Sequence, residues 1–143
     1  CLYHARIVPA GWQGVLAAQH EPSLAVDLAF APLLQKVFLD AYGWLLLAGC
    51  RVRSAPEHPP HSVRDLPSLP TGLVLPAEIA ACAELESTGW LAALQAPISP
   101  NATVRQSNNL AANTAVPTLE QFALWGQNLS ALAQQIADAI DES

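Results

Sequence analysis

Three side chains of types that commonly bind zinc lie close together in the stretch EHPPH, as Glu57, His58 and His61. The metalloprotease pattern needs two histidines four positions apart on one helix face, whereas these two are three positions apart beside prolines that exclude a helix. Further ligands would have to come from the distant His4 and His20. Because a structural zinc ion takes four protein ligands, we expect no metal site here.

Cys1, the first residue of the chain, has three interpretations. Mature bacterial lipoproteins begin with the cysteine that carries the lipid, and at this one residue the chain resembles that class, which would imply a membrane anchor through lipid attached to Cys1. An N-terminal cysteine can instead act as a nucleophile whose own amine is the base. That chemistry needs strands to position the nucleophile, and the chain has at most one or two strand-like runs. An arbitrary start within a longer chain explains Cys1 as well as a lipid does.

The other two cysteines, Cys50 and Cys82, flank a proline-rich stretch. A disulfide between them would close a loop of about 30 residues and would stabilise the fold by about 3 to 4 kcal/mol. Such a bond requires an oxidising compartment, so the pair favours an extracytoplasmic protein, either periplasmic, outer-membrane or secreted. The alternative is that both residues are small buried hydrophobic side chains, as free cysteines often are.

No other arrangement of residues indicates catalysis. The chain has no glycine-rich phosphate loop and no nucleophile elbow. Glu84 and Glu86 are separated by two positions, so on a helix they point in different directions and do not form an acid–base pair. The sequence therefore predicts a protein that is not an enzyme and needs no cofactor.

The composition excludes several classes of partner. In 143 residues, 52% are hydrophobic and only 13% are charged, with a net charge of -6. The six basic residues are spread along the chain without forming a basic stripe, which disfavours nucleic acid and anionic membrane surfaces as partners. The length fits one domain that can bury its own core.

Within that single domain, 1–143, the patterns predict a mainly α-helical bundle of four or five helices. Residues 2–8 alternate loosely, which suggests a short N-terminal strand or an extended arm, ended by Pro9 and Gly11. Two long loops are expected: a proline-rich loop at 51–72 and a polar loop at 97–117. Shorter helices are expected after Pro76 and near Trp90.

The most apolar segment, 23–50, is long enough to suggest a membrane span. Asp27, Lys36 and Asp40 argue against a span because each charge would cost about 2.5 to 3.5 kcal/mol near the bilayer centre. Pro32 also divides the segment. We therefore expect two consecutive helices, or one helix kinked at Pro32, buried on most sides.

The clearest helix is expected from Thr118 to about Asp141. Thr118 and Gln121 form a capping-box pattern. Apolar residues then follow at spacings of three and four, and we call the five largest the seam: Phe122, Trp125, Leu129, Leu132 and Ile136. The seam is a surface for the core or for a partner, and we expect it to pack against the helix at 33–48.

These features favour a non-catalytic, extracytoplasmic interaction or assembly subunit with a protein partner, anchored by lipid if Cys1 is its true start. The four tryptophans support an alternative, a helical carrier or binding module for an apolar small molecule. A structural subunit of a virion or secretion machine is a third candidate. Asn101 and Asn128 begin tripeptides of the N-glycosylation pattern, which often arises by chance.

Overall fold

A computed structural model describes residues 2–18, 23–68, 74–98 and 116–142 of the chain. These residues form five α-helices, one short 3-10 turn and no strand, so the expected mainly α-helical fold is confirmed. The helices are α1 (Leu2–Ala17), α2 (Ser23–Gly49), α3 (Ala77–Thr88), α4 (Trp90–Gln95) and α5 (Leu119–Glu142), and the 3-10 turn covers Val63–Asp65. Most of the polar loop expected at 97–117, including Asn101, lies outside the described residues.

The strand or extended arm expected at 2–8 is wrong, because helix α1 begins at Leu2 and continues through Pro9 to Ala17. Proline inside a helix costs about 3 kcal/mol. The packing of α1 offsets this cost: Trp12 is completely buried, and its indole Nε1 donates a hydrogen bond to Asp27 Oδ1 on α2 at 3.0 Å. Tertiary burial therefore overrides the local signal of the proline.

Helix α2 runs without interruption for 27 residues, so Pro32 does not divide it into two helices. Its buried side chains occur on several sides of the helix and include Leu34, Phe38, Tyr42 and Leu46. Helix α2 contacts the other four helices. It is therefore the central element of the bundle, as its apolar sequence predicts.

Helices α3 and α4 form a short pair that is separated by Gly89. The N–H of Gly89 donates to the carbonyl oxygen of Leu85 at 2.9 Å, which ends α3. Each helix buries two apolar residues, Ile79 and Cys82 from α3 and Leu91 and Leu94 from α4. The pair thereby covers part of α2.

Helix α5 begins where the capping pattern predicts. The N–H of Gln121 donates to the side-chain oxygen of Thr118 at 3.3 Å, which satisfies one of the free donors at the helix start. All five seam residues are buried, with exposed fractions between 1% and 6%. Phe122 packs edge-on against Phe38 of α2 at a ring distance of 5.7 Å, and Trp125 packs edge-on against Phe122 at 5.0 Å. The seam thus lies in the core of this chain.

An aromatic cluster joins the three long helices. Trp12 of α1 stacks on Phe30 of α2 at a ring distance of 6.0 Å and lies 5.9 Å from Phe122 of α5. Edge-to-face and offset-stacked pairs at such distances add about 0.5 to 1.5 kcal/mol each beyond the burial of their area. The ring pairs Trp12–Phe30, Trp12–Phe122 and Phe38–Phe122 therefore connect different helices.

Within the described ranges, none of the helices carries an apolar run of the length and purity that crossing a bilayer requires.

Replacing Trp125 with alanine should lower the free energy of unfolding by about 3 to 5 kcal/mol, because the change opens a cavity in the core. Leu124→Ala is the matched control: Leu124 is 52% exposed, so its loss should have a much smaller effect. Urea unfolding followed by circular dichroism measures both variants. A Trp125→Ala protein as stable as the Leu124→Ala protein would contradict the placement of the seam in the core.

Candidate functional site

The proline-rich segment 51–68 is irregular apart from the 3-10 turn, and it packs against α2. The contact depends on Gly43: a Cβ atom there would overlap the carbonyl oxygen of Pro60 and would lie 2.8 Å from Cβ of Pro59. Pro60 is buried in this contact. A glycine in the middle of α2 costs helix stability, and here it allows the backbone of the proline segment to approach the helix closely.

The carboxylate of Glu86 on α3 joins α2, α3 and the proline segment. Its Oε1 accepts hydrogen bonds from Tyr42 Oη at 2.7 Å and from the backbone N–H of Val63 at 2.8 Å. Its Oε2 accepts from Ser62 Oγ at 2.7 Å. Burial and this carboxylate raise the pKa of Tyr42, so Tyr42 stays protonated and remains a donor. Three donors on one partly buried carboxylate fix the proline segment to the bundle.

A second polar contact holds the same segment to α2. His61 Nε2 lies 2.8 Å from Asp40 Oδ1, and Lys36 Nζ lies 2.6 Å from Asp40 Oδ2. Burial raises the pKa of Asp40, but the hydrogen bonds and charges of Lys36 and His61 outweigh this effect and lower the pKa below its usual value. Gln95 of α4 donates to the carbonyl oxygen of His61 at 2.7 Å. His61 is therefore held from two sides.

These contacts explain the histidines of EHPPH in structural terms. His61 bonds to Asp40, while Glu57 and His58 are exposed. No group of three or more histidine, cysteine or acidic side chains within the described residues is arranged to hold a metal ion. The stretch therefore acts in this structure as part of the contact between the proline segment and α2.

The disulfide expected between Cys50 and Cys82 is not formed in the structure, in which both side chains are free thiols. Cys82 is buried in the core on α3, and Cys50 is partly buried at the end of α2. The proline segment between them is held by the contacts of Gly43 and Glu86 described above and not by a covalent bond at its base. Burial raises the pKa of both thiols, which disfavours the reactive thiolate form.

The remaining sequence candidates divide between the core and the part of the chain that is not described. Cys1 lies outside the described residues. The seam is enclosed by the bundle, and its side chains are at most 6% exposed. Asn128 lies on α5 and is partly buried. The structure brings none of these residues together into one site.

Two of the concave surfaces that the described residues form are candidate sites, and sequence reasoning missed both. The first, which we call the groove, has a volume of about 480 Å³ and lies between α1 and α5. It is lined by Pro9, Gln13, Phe38, Leu119, Phe122, Ala123, Gly126, Gln127 and Ser130, none of which is ionisable. Only the fold brings the residues of α1 beside those of α5, so the sequence carried no signal for this surface.

The second surface, which we call the cleft, has a volume of about 700 Å³ and lies where α2 ends, α3 begins and α5 ends. It is lined by Gly49, Cys50, Arg51, Arg53, Val74, Pro76, Glu78, Ile79, Ile136, Ala139, Ile140 and Glu142. Four of these side chains are charged, in contrast to the groove. The pair Arg51 and Arg53 was the only signal for the cleft in the sequence, and two charges alone do not define a binding patch.

The turn after α2 shapes one wall of the cleft. Arg51 has a φ of 51°, a left-handed conformation that non-glycine residues adopt at some cost. Its N–H donates to Ala48 O at 2.9 Å and the N–H of Val52 donates to Leu47 O at 3.0 Å, which together make a Schellman cap. The Arg51 guanidinium also donates to the carbonyl oxygen of Ile140 at 3.3 Å, which ties the end of α5 to the end of α2.

In comparisons with protein-family models, curated proteins and solved structures, the chain has no match. Proposals about its function therefore depend on its own geometry.

Replacing Gly43 with alanine should lower the free energy of unfolding by about 1 to 3 kcal/mol, because the new methyl group overlaps the backbone of Pro60. Gly14→Ala in α1 is the control, since a Cβ there has no neighbour within 4 Å. Removing that glycine from a helix should raise stability by about 0.5 to 1 kcal/mol. Thermal and urea unfolding measure the stability of both variants. If Gly43→Ala and Gly14→Ala change the stability by the same amount in the same direction, the close approach of the proline segment to α2 is contradicted.

The contact between Asp40 and His61 should make stability depend on pH. Because folding lowers the pKa of Asp40 from its usual 3.8, the ionised carboxylate stabilises the folded state above that pH. This stabilisation should disappear as the pH falls through the lower pKa of the folded state. The difference in unfolding free energy between the wild type and Asp40→Asn should therefore shrink between pH 5 and about pH 2. Urea titrations at several pH values test this, and a difference that persists unchanged at the lowest pH would contradict it.

Proposed function

We propose that this protein is a non-catalytic interaction subunit that binds an apolar, uncharged segment of a partner protein in the groove between α1 and α5. The observation that carries the proposal is that no side chain lining the groove is charged, although the chain has a net charge of -6. The centres of protein interfaces are depleted of charged residues in the same way. The proposal transfers the interaction role from the seam, which the core encloses, to the groove.

The floor and rim of the groove suit a protein segment. Phe38 and Phe122 lie at the base of the groove, where both belong to the buried core. The small residues Ala123 and Gly126 allow a partner to approach α5 closely. On the rim, the exposed side chains of Gln13 and Gln127 supply donors and acceptors without a fixed charge. A partner helix with an apolar stripe meets these requirements.

The outer surface of α1 extends the uncharged area beyond the groove. From Ile7 to Ala18 the helix and its end contain no ionisable residue. Two large apolar side chains on it are exposed, Ile7 by 48% and Val15 by 44%. Single exposed apolar side chains are ordinary on a protein surface. An uncharged stretch from Ile7 to Ala18 beside an uncharged groove is a larger feature, and it supports an interface there.

The chemistry of the described polar groups supports a non-catalytic role. Glu86 has its two oxygens occupied by three donors, and Asp40 and His61 bond to each other. The thiols of Cys50 and Cys82 have raised pKa values, so neither is activated as a nucleophile. These groups hold the proline segment and the core, and they are not arranged around either concave surface as a nucleophile and its base.

Site-specific photo-cross-linking in the cells that produce the protein tests the proposal. A photoreactive residue in place of Gln127, in the groove, should give a discrete cross-linked product. The same residue in place of Gln135, which is exposed on α5 outside the groove, should not. A product with twice the mass of the chain would identify the partner as a second copy.

The dependence of this product on the groove separates a specific partner from chance capture. Ala123→Glu places a carboxylate in the groove and should remove the Gln127 product, because an unpaired charge buried at an interface is costly. Ala131→Glu makes the same change on an exposed part of α5 outside the groove and should leave the product intact. Equal products from both variants, or equal labelling from positions 127 and 135, would reject the groove as the binding surface.

A further inference from the structure

The cleft at the ends of α2 and α5 differs from the groove in its electrostatics. Arg53 lies on its wall after α2, Glu78 in the first turn of α3, and Glu142 in the last turn of α5. The cleft therefore carries both signs of charge around an apolar interior, to which Ile140 and Ala139 contribute. A ligand that fits this cleft therefore needs a positive group, a negative group and apolar surface.

Three charged side chains of the cleft, Arg53, Glu78 and Glu142, do not neutralise one another. The ion pairs within the described residues are those of Asp40 with Lys36 and with His61. Arg53, Glu78 and Glu142 make no hydrogen bond or ion pair with any described residue. Each of the three can therefore form an ion pair with a ligand without first losing a partner in the described part of the chain.

We propose that the cleft binds a short peptide of apolar residues with free termini. Its carboxylate would bind the guanidinium of Arg53, its ammonium group would bind the carboxylate of Glu78, and its side chains would lie against Ile140 and Ala139. A guanidinium fits a carboxylate because its donors form a planar fork. Glu142 adds a second acceptor for the ammonium group.

The other simple ligand classes fit less well. A fatty acid would satisfy Arg53 and the apolar wall, but its carboxylate would face Glu78 and Glu142 with the same sign of charge. An uncharged apolar molecule would cover the charged groups without pairing them, which costs free energy. A zwitterion with an apolar body pairs both signs, and the volume of about 700 Å³ lies within the range of ligand sites and accommodates more than a single amino acid.

The neighbourhood of the cleft supports a partly preformed site. Arg51 is held by its hydrogen bond to Ile140 O, so the end of α5 keeps its position beside the end of α2. Val74 is 87% exposed on the cleft wall. Because covering an exposed valine removes apolar surface from water, a ligand that reaches Val74 gains binding free energy.

Isothermal titration of the full chain with dileucine and its blocked forms tests the proposal. Dileucine, with both termini free, should bind more tightly than N-acetyl-dileucine or dileucine amide. Each blocked form lacks one ion pair, so each should bind about tenfold more weakly, the factor expected for one hydrogen bond to a charged group.

Two variants assign the termini of the peptide to the two sides of the cleft. Arg53→Gln should weaken the binding of dileucine about tenfold but should not change the binding of dileucine amide. Glu78→Gln should weaken the binding of dileucine but not that of N-acetyl-dileucine. Arg64→Gln and Glu84→Gln remove exposed charges outside the cleft and should change nothing. Circular dichroism establishes that each variant is folded.

Several results of these titrations would overturn the proposal. Absence of dileucine binding at millimolar concentrations, or equal affinity for dileucine and the doubly blocked peptide, would reject a zwitterion site. Loss of binding in Arg64→Gln and Glu84→Gln to the same degree as in the cleft variants would also reject it. Ala123→Glu in the groove and its control Ala131→Glu outside the groove should both bind dileucine normally, so failure of the cleft proposal is distinguishable from failure of the groove proposal.

Discussion

The need to cover α2 is the constraint on which the rest of this structure depends. An α-helix with apolar side chains on several sides cannot rest against one neighbour and leave its other sides in water. Helix α1 covers it through Trp12, and α5 covers it through Phe122. Helix α4 contacts it where Gln35 donates to Leu94 O at 2.7 Å. The proline segment covers the remaining stretch at Gly43. Each element of the bundle is thus placed by what it adds to the burial of one helix.

The accuracy of the sequence-based predictions depends on the distance along the chain between the interacting residues. The start of α5 was predictable because Thr118 and Gln121 are neighbours and their hydrogen bond is local. The helical state of α1 was not, because Pro9 is a local signal for a break, whereas the burial that outweighs it joins Trp12 to Asp27 on another helix. The Gly43 contact was equally hidden, since nothing in the sequence near residue 43 indicates that Pro60 lies against it.

The attachment of the proline segment shows how a long loop in a small domain can be held without a covalent bond. The spacing of Cys50 and Cys82 suggested a disulfide, and the structure instead places the anchoring at Glu86. Glu86 differs from Glu84 in being turned toward the bundle, as expected for residues two positions apart on a helix. The sequence indicated that these two carboxylates do different things, but it could not show that three donors would converge on one of them. Donors on Tyr42, Ser62 and Val63 come from separate parts of the chain.

Helix α5 connects the core with both concave surfaces. Its buried seam residues Phe122 and Ile136 also form parts of the groove and of the cleft, respectively. Between Gln121 and Ala137 the helix has no charged residue, whereas Asp138, Asp141 and Glu142 follow in its last two turns. Because the groove lies along the uncharged part and the cleft along the charged end, the order of residues in one helix sets different electrostatic conditions for the two surfaces. Because the seam fixes the position of α5 by packing, the residues at its outward positions can differ in charge along the helix without affecting that packing. A substitution of Phe122 would therefore disturb the core together with the groove, and a substitution of Ile136 would disturb the core together with the cleft. A substitution at an outward position would affect only the nearer surface.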